Sequence, residues 1–262
     1  MADSREIEQS KSGSPRGWRT WLFRPRRTPA VPPDQRVYIV GDIHGCASLL
    51  ERLLVTIELD AAGGPPKRRL VFVGDYVDRG PNSRAVIERL LNPPEGFETH
   101  CLRGNHDQAV LDFLNDPLFY RVWKSYGAQE TLLSYGVRPP RFDDALSINA
   151  SRDEFAAALP ETHLRFLESL EYSWEIGDYF VAHAGVRPGT ALTAQAPQDL
   201  LWIRDEFLSS QSDFGKVVIH GHTPFDGVVK RKNRIGIDTG AYGTGRLSAV
   251  VLEGQTVRVL HT

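Results

Sequence analysis

The chain is poor in cysteine, with only Cys46 and Cys101 among 262 residues. Two thiols cannot build a disulfide framework or a cysteine zinc cluster, so we expect a reducing, cytoplasmic setting with both thiols as small core residues. Long apolar runs are lacking too. No stretch approaches the roughly 18 consecutive apolar residues of a membrane span. The piece "WLF" (21–23) is too short for the apolar region of a signal peptide. Excess charge is also missing: a formal net charge of −2 argues against bulk nucleic-acid binding. No glycine-rich loop ends in Lys-Ser/Thr, so nothing supports a P-loop nucleotidase.

What is present has ordinary bulk and uneven charge. A hydrophobic content of 41% and a charged content of 24% fit a globular chain with a sizeable core. Residues 1–36 hold eight Lys/Arg against four Asp/Glu, which leaves the body at −6. Within them, residues 11–27 carry six basic residues and no acid, interleaved with Trp18, Trp21 and Phe23. We expect residues 1–34 to be a disordered basic tail and linker, stiffened by Pro25, Pro29, Pro32 and Pro33. The composition of 11–27 suits weak contact with an anionic membrane surface or a partner.

The body, 35–262, is read as one domain. "VYIVGD" (37–42) and "RLVFVGD" (69–75) predict buried strands, and "THCLRGNHD" (99–107) a third that ends in the same way. Helical spacing follows the first two strands, over 47–58 with Leu49, Leu50, Leu53 and Leu54 on one face, and over 83–91. This alternation is that of parallel βαβ units. Residues 108–172 predict a helical insertion with a loop near 136–150. Strands return from Tyr172 onward, the last broken at Glu253-Gly254-Gln255 as a hairpin.

Five predicted strand ends carry polar residues of one kind: "GDIHG" (41–45), "GDYVDRG" (74–80), "GNHD" (104–107), "AHAG" (182–185) and "HGHTP" (220–224). Ligands of open α/β sheets collect at the carboxyl ends of strands, so these segments should converge. Carboxylate and amide oxygens mixed with imidazoles suit Mn, Fe or Zn better than a soft-metal site. A bridged pair of divalent ions accounts for the number of ligands and for the neighbouring arginines, which would grip phosphate. On this reading Asp75 shares both ions and Arg79 waits for a phosphoryl group. The last segment leaves His220 and His222 both open as ligands.

These motifs, in this order, make the sequence resemble the phosphoprotein phosphatase family of calcineurin-like metallophosphoesterases over roughly residues 37–252. It is most similar to small bacterial and phage serine/threonine phosphatases and to symmetrical diadenosine tetraphosphatases, which share endings like "IDTGAYGTGRLSAV". The resemblance implies an α/β fold with a β-sandwich core flanked by helices. It implies that Asp42 and His44 bind the first metal, that Asp75 bridges, and that Asn105, His183 and His222 bind the second. It further implies His106 as general acid, Asp78 as its orienting carboxylate, and Arg79, Arg204 and Asn105 as phosphate contacts. Two divalent ions are implied, with manganese favoured. The implied reaction is in-line attack of a metal-bridging hydroxide on phosphorus.

Three functions fit this pattern: a phosphatase of phosphoserine, phosphothreonine or phosphotyrosine proteins, a dinucleoside tetraphosphate hydrolase, and an inactive recruitment module. The presence of every ligand and of the acid pair favours an enzyme, and we expect the protein phosphatase. "WKSYGAQETLLSYG" (123–136) is similar to a W-x-x-x-G-G-x-x-T segment found in both enzyme groups, but departs from it at Ala128.

Overall fold

The structure is a computed structural model describing residues 28–262. The basic segment read at 11–27 lies outside the described residues. Strand β1 (Gln35–Val40) buries both its faces: Val37 and Ile39 on one side, Tyr38 and Val40 on the other, all fully buried. Such a strand must be covered twice, and it is. β1 pairs in parallel with β2 (Lys67–Phe72), and β2 with β3 (Glu98–Cys101). The connections are α1 (Ala47–Ala61) and α2 (Ser83–Leu91), as the alternation predicts. After β3 come α3 (Asn105–Asn115), α4 (Tyr120–Trp123), α5 (Ala128–Ser134), α6 (Ala145–Ala158) and α7 (Glu161–Ser169), the helical insertion.

The chain then builds a second sheet from β4 (Ser173–Ile176), β5 (Tyr179–Ala182), β6 (Val217–His220), β7 (Val229–Lys230) and β8 (Arg234–Gly236), in the order β4-β5-β6-β8-β7. Short helices α8 (Pro197–Trp202) and α9 (Asp205–Leu208) separate β5 from β6, and α10 (Ala241–Thr244) follows β8. Finally β9 (Ser248–Glu253) pairs antiparallel with β1, and β10 (Thr256–His261) folds back on β9 through the expected turn at Gly254. The first sheet is therefore β10-β9-β1-β2-β3.

Val37, Ile39, Val71, Val250 and Leu252 of the first sheet pack on Val181, Ile219 and Ile235 of the second. Burial of each such side chain contributes about 1.5–3 kcal/mol. The outer face of the first sheet is covered by α1, α2 and the insertion, and that of the second by Leu200, Ile203 and Phe207. The result is the β-sandwich flanked by helices that the resemblance implies.

Two boundaries differ from the sequence reading. β3 stops at Cys101, so "GNHD" stands at the start of α3 rather than in a strand. The loop predicted near 136–150 ends earlier, because Asp144 caps α6 by accepting from the Ser147 N–H at 2.8 Å. Residues 29–33, read as a linker, run along the base of the sandwich. Val31 is buried, its N–H donates to Gly254 O at 3.0 Å, and Asp178 Oδ2 accepts from Ala30 N–H at 2.9 Å. Among the described residues, no helix is long and apolar enough to cross a membrane.

Candidate metal centre

The backbone marks the site before any side chain is considered. Six non-glycine residues among those described have positive φ, and five of them are His44, Asp75, Asp78, Arg79 and His222. A side chain in that region costs about 1–3 kcal/mol and persists where the surroundings enforce it, which is characteristic of functional sites. All five sit just beyond β1, β2 or β6, where the sheet connections meet. Glycines permit the crowding: a Cβ on Gly104 would collide with Asp75, and one on Gly221 with Asp42 Oδ1.

Two groups of electron-pair donors result, and they share Asp75. His44, Asp75 and His106 offer ligand atoms within 4.8 Å of one another, as do Asp75, His183 and His222. His44 Nδ1 lies 3.0 Å from Val77 O and His183 Nδ1 lies 3.0 Å from Val73 O. A carbonyl only accepts, so each ring carries its proton on Nδ1 and turns an Nε2 lone pair inward. These lone pairs meet further acceptors: His44 Nε2 is 3.4 Å from Asp75 Oδ2, and His183 Nε2 is 3.4 Å from Asp75 Oδ1 and 3.0 Å from Asn105 Oδ1. Acceptors facing acceptors have no proton to share. Moreover, Asp42 Oδ1 and His222 Nε2 are buried with no hydrogen-bond partner.

The electrostatics point the same way. Burial, then Asp238 and Asp75, push the Asp42 carboxyl well above the usual range. Burial raises Asp238 to about 6. Burial and the Asp75 charge raise Asp107 to about 8. Burial also works against Asp75, but His183, His106 and His44 outweigh it and keep that carboxylate ionised. Burial depresses His44 to about 3 and His222 to about 2, leaving neutral imidazoles. Crowded anions and neutral imidazoles suit divalent cations bound by oxygen and nitrogen. The residues present therefore fit a pair of metals.

Of the two histidines left open, His222 enters the centre, with Nδ1 3.2 Å from His183 Nε2. His220 turns away: its ring packs on Phe207 at 5.0 Å and its Nδ1 lies 3.0 Å from Gly221 O. Asp42 holds the His222 N–H through Oδ2 at 2.9 Å. His106 Nδ1 stands 2.7 Å from Asp78 Oδ2, and its Nε2 faces inward, 3.7 Å from Asp75 Oδ2 and 3.2 Å from Arg79 Nη2. Burial depresses His106, but Asp75 and the bond to Asp78 reverse this and raise it. Arg204 occupies the break between α8 and α9, exposed, with Nη1 3.1 Å from Thr223 Oγ1.

Several residues of the site were not anticipated. Asp238, in the turn after β8, stands close enough to Asp42 to raise it. Its signal was available, since "RIGIDTG" is a sixth apolar run ending in a carboxylate. Asp107 accepts from the Asp75, Tyr76 and Gly104 N–H groups at 2.8, 2.9 and 2.9 Å, tying two strand ends together. Aromatic rings rim the centre: Tyr126 is 5.4 Å from His106, Trp202 6.1 Å from His222, and Tyr242 5.5 Å from His44.

The family described as calcineurin-like phosphoesterase matches residues 35–243. Serine/threonine-protein phosphatase 2 of Escherichia coli (strain K12) is 30% identical over 82% of this chain and 91% of its own. The asymmetrical bis(5'-nucleosyl)-tetraphosphatase PrpE of Geobacillus sp. (strain WCH70) is 26% identical over 82% and 89%. The solved structure of a cold-active protein-tyrosine phosphatase from a psychrophilic Shewanella sp. superposes with a TM-score of 0.57 over 89% of this chain and 82% of that one. At 16% identity this is a likeness of fold alone.

Proposed function

We propose, from the premise that this chain belongs to the calcineurin-like phosphoesterase family, that it removes phosphate from phosphorylated proteins using two divalent ions, manganese by preference. The observation that carries the reading is one buried carboxylate, Asp75, shared between two histidine groups beside a second carboxylate–histidine pair, Asp78 and His106. Two bound ions would supply an activated water and neutralise phosphoryl oxygens. Asp42, His44, Asp75, Asn105, His183 and His222 would hold them.

The remaining chemistry belongs to the chain. His106 holds a proton on the imidazole face toward the centre and passes it to the departing ester oxygen, while Asp78 keeps the ring oriented. Arg79 presents a planar fork to the phosphoryl group, and Arg204 approaches from the second sheet's side. Support for a protein substrate is the Escherichia coli relative named a serine/threonine-protein phosphatase, which is 30% identical over 82% of this chain.

A second reading, hydrolysis of dinucleoside polyphosphates, draws on the rim of Tyr126, Trp202 and Tyr242, which offers faces on which a base can stack. One assay separates the two. Metal-stripped protein reloaded with Mn²⁺ is given a phosphoserine peptide, a phosphotyrosine peptide and diadenosine tetraphosphate, with His106→Asn as control. Preference for a phosphopeptide, lost in the variant, is the expected result. Preference for the dinucleotide would move the substrate to nucleotides, and silence on all three would end the enzyme reading.

A further inference from the structure

The helical insertion carries one sequence segment that the site as described leaves without a role. We infer that residues 123–131 are a clamp that positions His106 and Arg79, Trp123 and Thr131 acting through Asp78 and Gly127 acting on Arg79 directly. This rests on the phosphomonoesterase reading, because it assigns the segment to proton delivery and phosphate binding.

Asp78 is fully buried and has a φ of 70°, so its backbone is strained and must be held. Besides the Gly80 N–H, which donates to its carbonyl at 2.7 Å, and Ser83 at the start of α2, the insertion supplies what holds it. Trp123 Nε1 donates to Asp78 Oδ2 at 2.8 Å, beside the 2.7 Å contact to His106 Nδ1. Thr131 Oγ1 donates to Oδ1 at 2.6 Å and accepts from the Asp78 N–H at 2.8 Å. Ser83 Oγ accepts from the same N–H at 3.1 Å. With donors on both oxygens, the carboxylate has a single orientation, and it is the one that faces His106.

Trp123 and Thr131 are fully buried themselves. The indole packs 5.0 Å from Phe113 on α3 and 6.3 Å from Phe155 on α6, so the body of the insertion backs the clamp. Between the two, Gly127 has a φ of 103° and its carbonyl accepts from the Arg79 N–H at 3.4 Å. A Cβ there would stand 2.7 Å from Arg79 N. The departure at Ala128 is harmless to this packing, since Ala128 opens α5 fully buried and Gly127 alone makes the close approach. Arg79 is then flanked by Tyr242, whose ring centroid is 4.7 Å from the guanidinium.

A merely structural segment would lower activity on all substrates together. A clamp on the proton donor instead lowers activity according to how much the leaving oxygen needs a proton. The test measures kcat and KM of the full chain loaded with Mn²⁺, using a phosphoserine peptide and p-nitrophenyl phosphate. Trp123→Phe and Thr131→Val remove one donor each at little change in volume, and Thr131→Ser restores the hydroxyl. Each of the first two should lower kcat on the peptide about tenfold with KM nearly constant, against less than about threefold on the nitrophenyl ester. Thr131→Ser should recover most of the peptide rate. Gly127→Ala should act on KM, by displacing Arg79.

A second readout needs no turnover. The low-field imidazole N–H signal shared with Asp78, identified by its loss in His106→Asn, should move in Trp123→Phe and Thr131→Val. If Trp123→Phe does not fold, Thr131→Val carries the same comparison. Equal losses on both esters, or an unmoved N–H signal, would overturn the clamp and leave the phosphatase reading standing. An unmutated chain that releases no phosphate from either ester would remove that reading and the clamp with it.

Discussion

The Asp42 carboxylate and the His222 backbone are 180 positions apart in sequence and joined by one hydrogen bond, the His222 N–H donating to Asp42 Oδ2 at 2.9 Å. It links the end of β1 in the first sheet to the end of β6 in the second. The other oxygen of Asp42 and Nε2 of His222 are left without partners. A buried acceptor with no donor costs about 1–3 kcal/mol, so the two sheets hold the centre in a form that a cation completes.

Metal binding should therefore stabilise the fold. At a free Mn²⁺ concentration a hundred times the Kd, each occupied site adds about 2.7 kcal/mol, which raises the melting temperature by several degrees. The comparison is between protein in chelator and protein titrated with Mn²⁺. Asp75→Asn should abolish most of the rise. Asparagine tolerates the positive φ at this position, so the loss would report the missing shared charge rather than backbone strain. An unchanged melting temperature on metal addition would count against the centre as drawn.

Arg79 and Arg204 should differ in weight. Arg79 is partly buried, with Nη2 3.2 Å from His106 Nε2, whereas Arg204 is exposed. Arg79→Lys loses the planar fork, and kcat/KM for a phosphopeptide should fall about 10²-fold. Arg204→Ala should cost about tenfold or less, mainly in KM. Steady-state kinetics on the two variants decide the order, and a larger effect at Arg204 would contradict it.

Far from the centre, Asp60 makes a prediction about stability. Arg258 binds it at 2.7 and 2.9 Å, and the Tyr38 hydroxyl donates to it at 2.7 Å. The bond to Arg258, with help from Tyr38 and Arg36, outweighs burial and lowers the carboxyl from 3.8 to about 2. A depressed carboxylate stabilises the fold fully above its unfolded value and loses that contribution as pH falls toward its folded one. Allowing for solvent screening, Asp60→Asn should cost about 1 kcal/mol at pH 7. The gap between parent and variant should close between about pH 4 and pH 2. Chemical denaturation at pH 7, 4 and 2.5 measures it, and a gap that persists at low pH would show another origin.

The sequence was most legible where apolar β-branched runs end abruptly in Asp, His or Asn, because burial and metal-type chemistry leave independent marks on the same few residues. Asp238 escaped because Asp-Thr-Gly also reads as a simple turn, and indeed Asp238 Oδ1 accepts from the Gly240 N–H at 2.8 Å. Its nearness to Asp42 depends on how β8 joins the second sheet, which no local pattern encodes. The start of α6 was hidden for a different reason. Only Ile148, Ser151 and Phe155 of that helix are buried, too few to give an apolar stripe. The pairing of β9 with β1 is equally non-local, Arg36 lying opposite Glu253.

Gly221 carries the last prediction. Its φ lies outside the left-handed range, so alanine is tolerated by the backbone and only the space is contested. That space belongs to Asp42: the added methyl would collide with Asp42 Oδ1 and stand 2.9 Å from Val73 Cγ2. Asp42 Oδ1 is the unpartnered oxygen of the centre, so it is the atom that yields. Gly221→Ala should therefore weaken Mn²⁺ binding about 10–100-fold, as displacing a group that orients a ligand does. The chelated protein should lose little stability, because the displaced carboxylate leaves an unfavourable burial. Calorimetric titration with Mn²⁺ beside a melting curve in chelator separates the two quantities. Unaltered affinity would mean that Asp42 is not a ligand.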